Sequence, residues 1–177
     1  MRRVEKLIGA DIFEWDELTE SDRNMLFAAA GIRPNAQCPY SGFAVGSAVR
    51  SASGTIFLGV NVEEAAYIVD HAEAVARTRM ICGEGSGQKI VEVAIVAAFA
   101  DQEVALPPER IGDPIENLDD CTAPCGHCRQ KIWDNAHGDP NVRLIGLLLN
   151  GEICITTIGD AFPMPFGPQD LGISYEK

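Results

Sequence analysis

The chain has 177 residues, 46% of them apolar and 23% charged, with a formal net charge of -12. That length suits one domain with a sizeable core, and that balance describes an ordinary globular protein rather than a disordered one. The acidic excess, with no basic cluster, excludes binding of long nucleic acid by phosphate neutralisation, and no apolar run reaches the roughly 20 residues of a membrane span.

Arg2 and Arg3 precede an apolar stretch at 7–13, but that stretch is short, carries Asp11 and lacks a small-residue cleavage site. The expectation is therefore a cytoplasmic protein without a secretory signal. Residues 1–18 read as an N-terminal extension and 19–177 as a single domain. Thr19 caps a predicted helix over 21–30, which Gly31 and Pro34 close. Strands are predicted at 43–50 and 55–60, on either side of the turn signal Ser53-Gly54. A helix over 72–82 gathers Ala72, Val75, Ala76 and Met80 on one face, with Gly83 as its stop. The near-continuous apolar run 90–100 predicts a strand covered on both faces. Three prolines, Gly112 and several acids make 101–123 a long loop. A second helix starts at Cys125 and runs to Ala136, and strands at 142–149 and 152–158 flank the turn Asn150-Gly151. This order implies an α/β sandwich with one mixed sheet and helices on its faces.

The six cysteines form no regular framework, and only 121, 125 and 128 cluster, a spacing that points to metal or catalysis rather than disulfides. Two short motifs carry chemistry: His71-Ala72-Glu73 and Pro124-Cys125-Gly126-His127-Cys128. Each alone is common by chance, but together, each at a predicted helix start, they are specific. Cys125 and Cys128 are three apart, so on a helix they share a face and can grip one ion. A helix N-terminus favours thiolate over thiol, and two thiolates with a neutral His71 balance the charge of Zn²⁺. Three protein ligands leave a fourth position for water, which such a site makes easier to deprotonate. Glu73 lies near enough to reach that position without being a ligand. Two blander readings compete. Asp70 and Glu73 could form a helix-capping pair, and Cys121 could complete a closed Cys₃His structural site. Cys38, Cys82 and Cys154 read as small core residues, and His127 and His137 receive no role.

On these motifs the chain resembles the cytidine deaminase family of zinc-dependent nucleoside deaminases, whose His-x-Glu and Pro-Cys-x-x-Cys signature they match. The similarity extends to the segments 39–46, 59–63, 124–130 and 165–171. The resemblance implies a three-layer α/β/α sandwich around a central mixed five-stranded sheet. It implies a Zn²⁺ held by His71, Cys125 and Cys128, with Glu73 as the catalytic proton carrier. It further implies that Phe43 packs on the pyrimidine, that Asn61 and Glu63 bind the ribose hydroxyls and that the Ala72 backbone meets the base. Phe166 would reach a neighbouring subunit's site. The expected activity is hydrolysis of cytidine or deoxycytidine to uridine or deoxyuridine plus ammonia. The partner would be a small nucleoside, in pyrimidine salvage. A homo-oligomer is expected, a tetramer first and a dimer second. The long loop and Glu64 motivate an alternative substrate, a modified aminopyrimidine nucleoside such as a nucleoside antibiotic. A non-catalytic protein with the Cys₃His zinc is the alternative outside the enzyme class.

Overall fold

The computed structural model describes residues 2–173. In chain order its elements are β1 (Asp11–Phe13), α1 (Glu20–Ile32), β2 (Phe43–Ser51), β3 (Ile56–Val60), β4 (Val62–Glu63), β5 (Val69–Asp70), α2 (Ala72–Glu84), β6 (Ile90–Phe99), α3 (Gly126–Asn135), β7 (Arg143–Leu147), β8 (Ile153–Thr157) and α4 (Ile158–Ala161). The main sheet has the order β1-β8-β7-β6-β2-β3, and β4 and β5 form a separate two-stranded ribbon. Only β6 and β7 run parallel; the other neighbours in the main sheet are antiparallel, so the sheet is mixed as expected. It has six strands rather than five. The extra one is β1, from the segment 1–18, which pairs Asp11–Phe13 with β8. Its three residues, at the end of a short apolar stretch interrupted by Gly9 and Asp11, were too few to carry a period-two strand signal.

The period of two along each central strand builds the layers. Ala48, Ala94, Val96, Ile145 and Ile153 face α1, where Met25, Leu26 and Ala29 fill one core. Val49, Val93 and Leu144 face the other way, against Ala76 and Met80 of α2 and Ile132 of α3. Thr19 caps α1 by accepting from the Asp22 N–H at 3.1 Å. The helix runs two residues past the predicted end, and one 3₁₀ turn, Arg33–Asn35, takes it up to Ala36. Similarly α2 passes Gly83 and stops at Gly85, whose φ of 93° suits only glycine.

At one end of the central strands Glu92 of β6 is buried between Arg50 of β2, at 3.0 Å, and Arg143 of β7. Burial pushes its carboxyl up while the two guanidinium groups pull it down. Arg143 also reaches Asp22 of α1 at 2.7 Å, so this end of the sheet is tied to the helix layer. The opposite end holds the site. There Gly59 of β3 lies so close to α2 that an added Cβ would stand 2.2 Å from the Ala72 carbonyl oxygen and 2.5 Å from the Ala76 nitrogen. The first turn of α2 is seated on this glycine. Gly59→Ala should therefore cost about 1–3 kcal/mol through overpacking against backbone that has no side chain to move aside. Urea unfolding measures this, and a change within a few tenths of a kcal/mol would show that α2 can shift freely.

Candidate active site

His71 is the N-cap residue of α2, and Cys125 is the N-cap residue of α3. Neither makes a side-chain capping hydrogen bond, so both side chains remain available as ligands. Cys128 lies one turn into α3 on the same face as Cys125 and is fully buried. One ligand atom from each of His71, Cys125 and Cys128 falls within 4.8 Å of the others. Nδ1 of His71 is 3.4 Å from Sγ of Cys125. Arg129 braces the second motif by donating to the Pro124 and Ala161 carbonyls, the latter at 2.8 Å.

The donor chemistry fits Zn²⁺. Burial, helped by Glu73 and Cys125 beside it, pushes the Cys128 thiol far above its ordinary value. A thiolate at that depth needs a bound cation, and two sulfurs with one imidazole are a zinc donor set with a position left open. Cys121 stands outside the group: its thiol points to the Asn117 carbonyl at 3.9 Å. The closed Cys₃His reading is therefore not the arrangement present. The capping reading of Glu73 is not met either, because His71 rather than Asp70 is the N-cap and no side-chain cap forms. Glu73 is instead buried, with its carboxylate near enough to Cys128 to help push that thiol up.

Beside this cluster opens a cleft of about 340 Å³. Phe43, Asn61, Glu63, Ala72 and Glu73 all line it, so five predicted residues converge on one space. Phe166 lies elsewhere. It is 60% exposed on the segment after α4, where its carbonyl accepts from Gln130 at 2.8 Å. Two of the converging side chains are already engaged. The Asn61 Oδ1 accepts from the Val45 N–H at 2.8 Å while its Nδ2 donates to the Phe43 carbonyl at 2.8 Å. This residue thus holds Phe43 in place and keeps only one lone pair and one N–H for a ligand. Glu63 accepts from the Tyr40 N–H at 2.9 Å, from the Ser41 N–H at 3.1 Å and from the Ser41 hydroxyl. The Ser41 hydroxyl above all, with the two backbone donors, holds the Glu63 carboxyl below the usual carboxylate range.

The sequence reading missed the rest of the lining. Ile95 and Ala97 of β6 and Gly146 of β7 continue the sheet face that carries Phe43, and with the segment 122–124 they complete the lining of the cleft. Their signal was weak, because apolar strand residues look alike whether they face a core or a cavity. Ser41 stood only within the family-like segment 39–46, with no role of its own.

A family described as the cytidine and deoxycytidylate deaminase zinc-binding region matches residues 19–139, which contain both motifs. The chain belongs to this deaminase family. The cytidine deaminase of Sporosarcina psychrophila is 30% identical over 145 residues, covering 82% of this chain and 90% of the relative. That of Halalkalibacterium halodurans is 30% identical over 152 residues, covering 85% and 98%. Among solved structures, the cytidine deaminase of Burkholderia pseudomallei superposes with a TM-score of 0.60 at 29% identity, over 84% of this chain and 100% of that one. That of Mycobacterium leprae gives 0.60 at 26% identity, over 82% and 99%. The family's zinc and this chain's donor set therefore agree, and zinc is its metal.

Elemental analysis separates ligands from bystanders. Purified protein should carry about one zinc per chain, Cys125→Ser should lose it, and Cys121→Ser should keep it. Equal loss in both variants would place Cys121 in the metal site after all.

Proposed function

We propose that this chain is a zinc-dependent hydrolase that converts cytidine or deoxycytidine, with water, to uridine or deoxyuridine and ammonia. The observation that carries this reading is the juxtaposition of His71, Cys125 and Cys128 with the buried Glu73 at the end of one cleft. Zn²⁺, when bound, supplies the Lewis acidity that lets a water molecule lose its proton near neutral pH. The remaining work falls to the chain's own residues. Glu73 accepts that proton, delivers it to N3 of the ring and then carries a proton to the leaving amine. Its burial in the cleft wall beside Cys128 places the carboxylate at the metal cluster, where a short transfer path is possible. Phe43, held by Asn61 and set edge-on to Phe99 with ring centroids 5.6 Å apart, offers an apolar face to the pyrimidine. Apolar walls at Ile95, Ala97 and Gly146 exclude water from around the ring.

Glu63 is the group that reads the sugar. Its three protein donors fill both positions on Oε2 and one on Oε1, leaving one Oε1 lone pair to which a ribose hydroxyl can donate. A free base leaves that carboxylate without its ligand donor, and a nucleotide brings a second negative charge to it. Nucleosides are therefore the preferred substrate class, with cytosine and cytidine monophosphate poor.

Residues 19–177 act as the single catalytic domain, working in the cytoplasm in pyrimidine salvage. The working form is a homo-oligomer, a tetramer first and a dimer second. Tyr40 and Tyr67 support this, both exposed next to the strand that carries Glu63, as does Phe166, which is exposed away from its own cleft. Phe166 is then available to a neighbouring copy's site.

Glu73→Gln keeps the size of the side chain and removes proton transfer. Turnover of cytidine should fall by about 10²–10⁴ while zinc content and unfolding midpoint stay as in the parent. Wild-type turnover in this variant would contradict the assignment. Glu63→Gln should raise KM for cytidine and leave the slow reaction of cytosine unchanged. Steady-state kinetics on both substrates checks this, and equal effects on the two would show that Glu63 does not read a sugar.

A further inference from the structure

Two cysteines that the deamination reading does not use lie beside one another where the chain leading into Cys125 settles on the sheet. Cys121 follows the 3₁₀ turn Leu118–Asp120 and is partly exposed. Cys154, the second residue of β8, is buried, and its register partner on β7 is Gly146. Alternation along the strands turns both of these toward the α2 and α3 face, since their neighbours Ile145 and Ile153 belong to the α1 side. With no side chain at 146, the chain after the long loop can settle on the sheet. An added Cβ there would stand 3.1 Å from the Thr122 carbonyl oxygen. Thr122, Ala123 and Pro124 enclose a small void together with Cys154. This seat sets Cys121, one residue before Thr122, beside Cys154, close enough for its thiol to perturb the buried one.

We propose that Cys121 and Cys154 are a modification site, a dithiol that takes a low-molecular-weight disulfide of the oxidised-glutathione class and closes to an intramolecular disulfide. The accessible sulfur reacts first. Cys121, as thiolate, attacks one sulfur of oxidised glutathione, breaking its S–S bond, releasing one glutathione and leaving a Cys121–glutathione mixed disulfide. Cys154 then attacks the Cys121 sulfur and releases the second glutathione. Two cysteine protons end on two glutathione thiols, and the two electrons lost by the protein reduce the small disulfide. Burial, then the neighbouring Cys121, push the Cys154 thiol up to about 12, which makes the closing step the slow one.

The bond would fasten the segment 121–124 to the sheet. That segment supplies part of the cleft lining and leads directly into Cys125. The rest of the long loop is already anchored. The Glu152 carboxylate accepts from the Ile115 N–H at 2.8 Å, and Arg110 spans Glu14 at 3.2 Å and Glu152 at 3.1 Å. A covalent tie at Cys121 would leave no free end between Arg110 and the metal site.

Incubation of the zinc-loaded full chain with oxidised glutathione, followed by peptide mapping without reductant, tests this. The expected product is a linked Cys121–Cys154 peptide, with zinc retained, reversal by a thiol reductant and a thermal midpoint raised by roughly 5–10 °C. Cys154→Ala should block closure and accumulate glutathione on Cys121, and Cys154→Ser gives the same readout if the alanine variant does not fold. Exposed Cys82 reports in the same map whether oxidant was active. Modification of Cys82 with Cys121 and Cys154 unlinked would overturn the proposal, as would a wild type that stops at the mixed disulfide or links either cysteine to Cys125 or Cys128.

Discussion

The site depends on two helix N-termini meeting above one end of the sheet. Only there do a free imidazole at the start of α2 and two sulfurs in the first turn of α3 come within 4.8 Å of one another. The unpaired N–H groups of both first turns supply positive potential where the protein must hold thiolates. Gly59 makes this possible on one side by letting α2 sit against β3, and the parallel β6–β7 pair makes it possible on the other by returning the chain through α3.

Around that meeting point, most polar groups are positioned by backbone rather than by one another. Asn61 fixes Phe43 through both of its amide groups, and the turn at Tyr40 and Ser41 fixes Glu63. Arg33, buried at the end of α1, donates to the carbonyls of Ala44, Phe99 and Gln102, so it joins β2, the end of β6 and the start of the long loop. A recognition surface built in this way is set before ligand arrives, which limits the ordering needed on binding. Among the described residues no helix is long and apolar enough to cross a membrane.

Much of this was legible in the chain. Thr19, the apolar and partly β-branched stretch at 43–50 and the apolar run at 90–100 located their elements within a few residues, because local capping and burial patterns decide them. The convergence of His71, Cys125 and Cys128 was legible because ligand chemistry tolerates few residue types at few spacings. What stayed hidden depends on tertiary contact. The sheet partner of Asp11–Phe13 is more than a hundred residues away, the wall residues Ala97 and Gly146 carry no chemistry of their own, and Cys154 reads as an ordinary core residue until Cys121 is folded onto it. Asn61 shows the same limit from the other direction. Its position in the cleft was foreseen, but its commitment to the β2 backbone was not.

The central claim is a three-ligand zinc centre with Glu73 beside it rather than in it. X-ray absorption at the zinc edge of the purified chain measures this directly. The account predicts two sulfur neighbours at about 2.3 Å and two nitrogen or oxygen neighbours at about 2.0–2.1 Å. Three sulfur neighbours per zinc would contradict it, because Cys121 would then close the coordination sphere and leave Glu73 nothing to act on.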